Sequence, residues 1–438
     1  MPADRPTMND PNSLDPAERR TLITLACGAF ASQASVRLCD PMLPQFAAEF
    51  GRPLSEAAYT VTSFTIAYGL LQLLHGPMGD RYGKIAVVRI ASLAAAAASL
   101  ACAFALSLGQ LVALRFVAGA ACAALIPLAL AWIGDSVPYA ARQRVLARFL
   151  TGSTTGLIFG QVAGGVLADT IGWRLSFMLP AAVFSGVGAV LMIDARRRGV
   201  GDSANAQVAR HPVGGTVRSA GSSSEPAAPA RGPASFLTPF VKVLSIRWVR
   251  VITLSVLVEG LLVFGAFAFV PSWLHTEFGL PLWQCGMAAA GFGLGGLVYA
   301  LGSHWLIPRL GEAGLIRGGA ALFALGMLSL GGTWWPAQSL LCAVAGMGFF
   351  MLHNTLQTQA TQMAPEARGT AIAAFAFCLF AGQSAGVALG GTLAAAIGYT
   401  PVLKGAALLL LVLAAGLSAA ISRRQRVLRQ QPPGRASR

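Results

Sequence analysis

The 438-residue chain is 55% hydrophobic and only 11% charged, with 50 glycines and a mean hydropathy of +0.63, values that exclude an ordinary soluble domain. Its formal net charge of +15 raises nucleic acid as a partner, but no basic face with interleaved aromatics occurs between the apolar stretches, which sets that class aside. A bilayer core about 30 Å thick takes roughly 20 apolar residues per helix, and such stretches recur along nearly the whole chain.

Residues 1–21 are polar and carry Pro2, Pro6, Pro11 and Pro16, so they read as a disordered tail. Six membrane helices are predicted over 22–46, 56–78, 85–107, 110–134, 145–168 and 174–194. The first is too long for a signal-peptide core and is expected to remain as a helix. Residues 195–247 open with Arg196-Arg197-Arg198 and continue rich in Ser, Gly, Pro and Ala, a flexible linker whose end, Phe236 to Arg250, has the composition of an amphipathic surface segment. Six further helices are predicted over 249–273, 282–306, 314–334, 337–362, 368–396 and 402–422, before a basic tail at 423–438. The expected fold is therefore all-α, with an N-terminal six-helix bundle (22–194) and a C-terminal one (248–422).

Alternating the connections between two sides places 27 of the 32 Lys and Arg on one of them. By the positive-inside rule that side, with both termini, is cytoplasmic. Trp173, Trp273, Trp283, Trp334 and Trp335 fall at predicted outer ends and Trp248 and Trp305 at inner ends, as interfacial anchors do. The seven cysteines form no Cys-x-x-Cys pair and read as small packing residues, without a metal or disulfide role.

The halves repeat. Gly160-Gln161-Val162-Ala163-Gly164 recurs as Gly382-Gln383-Ser384-Ala385-Gly386, Arg142 has a counterpart in Arg368, and Gly83 in Gly311, at offsets of 222 to 228 residues. Equal offsets at matching positions indicate duplication, a common device in transporters. Two further patterns mislead. Gly382-x-Ser384-x-Gly386 fits a nucleophile elbow and Gly291-x-Gly293-x-x-Gly296 a dinucleotide loop, but both lie inside predicted membrane helices and read as glycine faces for close packing. No enzyme activity, cofactor or metal is expected.

Between the second and third helices stands a short charged turn, Gly76-Pro77-Met78-Gly79-Asp80-Arg81-Tyr82-Gly83-Lys84, with Arg89 a turn later. This stretch resembles the signature of the major facilitator superfamily. Arg115-Phe116-Val117-Ala118-Gly119 resembles that family's fourth-helix motif, and Gly156 to Gly165 the glycine-rich fifth helix of its proton-driven exporters, with Gln161 where the motif has Pro. Asp40-Pro41-Met42-Leu43-Pro44 and His353-Asn354-Thr355-Leu356-Gln357 look like the twelve-helix, drug-exporter-like branch. The resemblance implies an inner-membrane secondary transporter, monomeric, that moves small organic compounds by alternating access. It implies proton-coupled efflux; an importer or uncoupled facilitator, and a non-transporting receptor on the same fold, are the alternatives.

Ionisable residues inside a bilayer are costly and mark function. Arg37, Asp40, Arg115 and Glu259 are the candidates for proton coupling. At 1.5 Å per residue Asp40 lies about 27 Å from the inner edge and Arg115 about 8 Å below the outer one, so the two are expected to meet. Glu259 lies about 15 Å into its helix. His353, Asn354, Gln357, Gln161 and Gln383 are expected to hydrogen-bond substrate, His75 to be structural, and Gly76, Asp80, Arg81, Gly83 and Lys84 to form a cytoplasmic gate. In that gate Asp80 meets the positively charged start of the eleventh helix when the inner side is shut.

Overall fold

The computed structural model describes residues 15–137, 139–208 and 233–430; the N-terminal tail up to residue 14, Pro138, linker residues 209–232 and the tail from 431 lie outside them. The described chain is built of α-helices and two short 3₁₀ turns. Ten helical stretches among the described residues are long and apolar enough to cross a membrane. The longest, Leu282–Ser329, holds two of the expected spans, since Gly311 breaks it with a non-helical φ of 61°. The 32-residue helix Tyr139–Thr170 supplies the fifth. Twelve segments result, in the predicted order.

The first segment begins at Asp15, whose side chain caps Pro16–Arg37 in a box with Glu18. It does not run straight through to 46. Leu38 ends the helix, Asp40–Met42 form a 3₁₀ turn around Pro41, and the chain resumes as Leu43–Phe50. Proline cannot donate to the preceding turn, so the break falls beside Asp40. The seventh segment breaks likewise, between Arg247–Phe267 and Val270–Phe278.

One apolar core draws on residues 25–191 and a second on residues 243–421, while a third cluster joins Leu38, Met42 and Phe177 to Phe269, Leu282 and Val387. Two bundles and a seam are the result. Glycines set how closely the helices approach. A Cβ on Gly160 or Gly164 would lie 2.3 Å from the Ala34 or Leu38 carbonyl oxygen, and a Cβ on Gly382 or Gly386 would lie 2.0 or 2.2 Å from that of Leu257 or Leu261. The fifth segment thus packs on the first as the eleventh packs on the seventh. The duplication read in the sequence is a duplication of contacts. Its turns match too, with Gly83 at φ 86° and Gly311 at φ 61°, both in the region only glycine enters freely.

Some expected roles change. Trp173 and Trp273 are buried, Trp173 against Phe46 and Phe177 and Trp273 donating to the Thr400 hydroxyl, so they brace the bundle ends and do not face lipid. Trp305 and Trp334 remain exposed. The stretch before the seventh segment is helical over Pro233–Ser245.

Candidate functional site

The break in the first segment delivers Asp40 to a fully buried position. Its Oδ2 accepts from Arg37 Nη1 at 3.3 Å and from Gln161 Nε2 of the fifth segment at 3.0 Å. Among the described residues Oδ1 has no partner. Arg37 faces across the seam, its guanidinium carbon 4.3 Å from the ring centre of Phe264 in the seventh segment. The carboxylate therefore has a cation and an amide in its own bundle, and the cation touches the other bundle.

Arg115 does not join this pair directly. Its Nε donates to the Thr60 carbonyl at 3.2 Å and its Nη2 to the Ser35 carbonyl at 2.9 Å, with the guanidinium 4.1 Å over the Phe64 ring. The expected Asp40–Arg115 meeting is replaced by an arginine that staples the first, second and fourth segments through backbone oxygens. Depth alone placed the two residues at one level but could not say which way the fourth helix turned its face.

In the second bundle Glu259 is fully buried and its Oε2 lies 2.9 Å from His353 Nδ1. Its Oε1 has no partner among the described residues. The His353 ring stacks on Phe349 at 5.1 Å and lies 5.6 Å from Phe375, and Phe349 in turn contacts Phe264 at 4.9 Å. An aromatic path thus connects Arg37 with the Glu259–His353 pair. Asn354 Nδ2 donates to the Tyr299 hydroxyl at 3.3 Å, and Gln357 is exposed. Gln383 is buried, and its amide nitrogen has no partner among the described residues. Gln161 has the acid Asp40 to receive it; at the offset of the matched helices the seventh segment carries Val263, and Gln383 has no such acid.

The bundles close on each other in the half remote from the termini. Ser384 Oγ donates to the Thr62 carbonyl at 3.0 Å, the Trp283 N–H donates to Asp169 Oδ2 at 2.7 Å, and a Cβ on Gly286 would lie 2.5 Å from the Gln161 carbonyl oxygen. At the terminal side the charged turn is open. Asp80, Arg81 and Gly83 are exposed, Gly76 is half-buried, and Asp80 makes no ion pair among the described residues. Lys84 instead pairs with Asp135 at the end of the fourth segment, a contact the sequence reading did not anticipate. His75 is buried nearby.

The profile of the Major Facilitator Superfamily matches residues 25–387. The chain belongs to this superfamily. Among curated relatives, this superfamily member is 23% identical over 401 residues to the uncharacterized transporter YceJ of Bacillus subtilis, covering 88% of this chain and 92% of that protein. It is 28% identical over 170 residues to the multidrug export protein EmrB of Escherichia coli K12, covering 39% of this chain and 33% of EmrB. Another match, to YybF of Bacillus subtilis, spans 43% of that protein. The fold is shared with a bacterial homologue of the human lysosomal transporter Spinster, solved inward-facing and unoccupied, at a TM-score of 0.69, 16% identity and 94% and 98% coverage. The chain is thus a multi-pass membrane protein of this superfamily whose twelve segments form two pseudo-symmetric bundles.

Proposed function

We propose that this transporter is a proton-coupled exporter of small organic compounds that works by alternating access. The observation that carries the reading is Asp40, a fully buried carboxyl shared by Arg37 and Gln161 at the seam, with one oxygen left without a partner. A carboxyl so placed gains a proton at the cost of its ion pair with Arg37 and restores the pair on losing it, and Arg37 in turn rests on Phe264 of the opposite bundle. Protonation is thereby linked to the packing of the two halves. Arg115 holds the wall of this site, and Glu259 with His353 forms a second proton-accepting pair on the other side of the seam. Asn354, Gln357 and Gln383 are assigned to substrate, Gln383 through its unpartnered donor.

Export is favoured by the similarity to EmrB, a multidrug export protein. The charge bias of the connections supports an inner-membrane protein with both termini in the cytoplasm, and one chain contains both halves of the site. Gly76, Asp80, Arg81, Gly83 and Lys84 form the gate on that face. Flux of candidate drugs in proteoliposomes, with and without a pH gradient, tests the reading. Export that rises with the gradient is expected; flux indifferent to it makes the protein a facilitator, and no flux of any compound removes the transport role.

A further inference from the structure

On the terminal face of the second bundle, away from the seam, the ninth and twelfth segments bound a cleft of about 410 Å³. Arg317 enters it from the ninth segment, and Arg423 and Arg426 from the last turns of the twelfth, with Ser418 and Ser422 between them. Three guanidinium groups converge here without a carboxylate. Arg317 Nε reaches only the Ala313 carbonyl at 3.3 Å, and among the described residues none of the three forms an ion pair. Some other bases on this face are answered: Arg20 pairs with Asp194, Lys84 with Asp135, and Arg424 donates to Gln359 at 3.2 Å.

The cleft continues into an apolar track. Leu408, Val412, Ala415 and Ala419 follow one another at helical spacing up to Arg423, with Leu408 and Val412 more than half exposed. In a membrane helix that exposure faces acyl chains. Cationic groups with hydroxyls, at the end of a lipid-facing track, match a phosphate head joined to apolar tails.

We propose that this cleft is a binding site for an anionic phospholipid of the leaflet on the terminal side. The phosphate sits among Arg317, Arg423 and Arg426, the Ser422 hydroxyl hydrogen-bonds its oxygens while that of Ser418 is held by the Ala415 carbonyl at 3.0 Å, and one chain lies along Leu408 and Val412. Guanidinium binds phosphate through paired N–H donors, which gives such a site selectivity that a diffuse basic surface lacks. It is separate from Asp40 and Glu259, so its occupancy is independent of the transport reading.

The test uses full-length protein in neutral detergent, with phosphatidylglycerol retention read by native mass spectrometry against phosphatidylcholine. The Arg317→Gln/Arg423→Gln/Arg426→Gln variant is compared with Arg148→Gln/Arg196→Gln/Arg197→Gln, which removes the same charge from exposed bases on the same face. The cleft variant is expected to bind phosphatidylglycerol about a hundredfold more weakly, from the typical worth of three basic residues near an anionic surface. The control variant is expected to bind as the unmodified protein does, and glycerol phosphate is expected not to compete. Equal losses in both variants, no preference over phosphatidylcholine, or full competition by glycerol phosphate each overturn the proposal. Circular dichroism of both variants establishes that they are folded.

Discussion

Asp40 and Gln161, 121 residues apart in sequence, meet at 3.0 Å in a position closed to solvent. The meeting depends on Gly160 and Gly164, which let the fifth helix lie against the backbone of the first, and on the turn at Pro41, which aims the carboxylate toward it. Gln161, set out in the sequence as a substrate group, is in this structure the amide that holds the acid. Gln383 repeats it without an acid to hold, so the same residue in the second copy keeps a free donor.

Replacing Asp40 by Asn keeps the shape and a polar contact for Gln161 but removes the titratable group. Substrate binding is expected to persist while transport loses its response to a pH gradient. Gln161→Leu leaves the Arg37–Asp40 pair in place and removes one hydrogen bond to a charged group, with an effect of roughly 1.5–3 kcal/mol, or about ten- to a hundredfold in gradient-driven flux. Paired binding and flux measurements in proteoliposomes check both. A fully gradient-dependent Asp40→Asn protein would falsify the coupling role.

Glu259 and His353 predict a different signature. Removing one partner of a buried pair leaves a group with no compensation, at about 3–5 kcal/mol, whereas replacing both by apolar side chains often costs little. His353→Leu is therefore expected to unfold at markedly lower temperature in detergent. Glu259→Met with His353→Leu is expected to recover most of that loss and still transport poorly. Recovery of transport along with stability assigns the pair to the scaffold alone.

The segment count, the repeat and the buried ionisable residues were legible because bilayer physics writes them as composition: apolar runs of fixed length, glycine at close crossings, few internal charges. Partners were not legible. Arg115 and Asp40 share a depth, but helix rotation sends Arg115 to the Thr60 and Ser35 carbonyls. The Glu259–His353 pair spans 94 residues and follows from the mutual rotation of the seventh and tenth segments, which no local pattern reports. Lys84 and Asp135 show the same limit at the surface, and at the repeat offset of Gly83 the second copy places Glu312 opposite Lys84, accepting from Gln359 at 2.9 Å.

Asp80 is exposed while the far half of the seam is closed. If it latches the start of the eleventh segment only in the opposite state, Asp80→Asn leaves the present state intact. Substrate affinity is expected to change less than about twofold, well under the 1.4 kcal/mol of a tenfold effect, while turnover falls clearly. Equilibrium binding and initial rates on one preparation separate the two, and a selective loss of affinity assigns Asp80 to the binding site instead.

The glycine contacts give the last prediction, which concerns the scaffold that carries Asp40. At Gly160 an added Cβ lies 2.3 Å from the Ala34 carbonyl oxygen, a backbone atom that cannot swing aside, so the fifth helix must move away from the first. Overpacking of this kind costs typically about 1–3 kcal/mol. Gly186 carries the same substitution with, among the described residues, no atom within 4 Å of the new Cβ beyond its chain neighbours and its own helix backbone. Gly160→Ala is expected to lower the thermal midpoint in detergent and Gly186→Ala to leave it unchanged. The displacement also carries Gln161 away from Asp40, so Gly160→Ala should reproduce the Gln161→Leu transport defect with the amide still present. Equal midpoints for the two alanine variants would show that the helices are not in contact along this face.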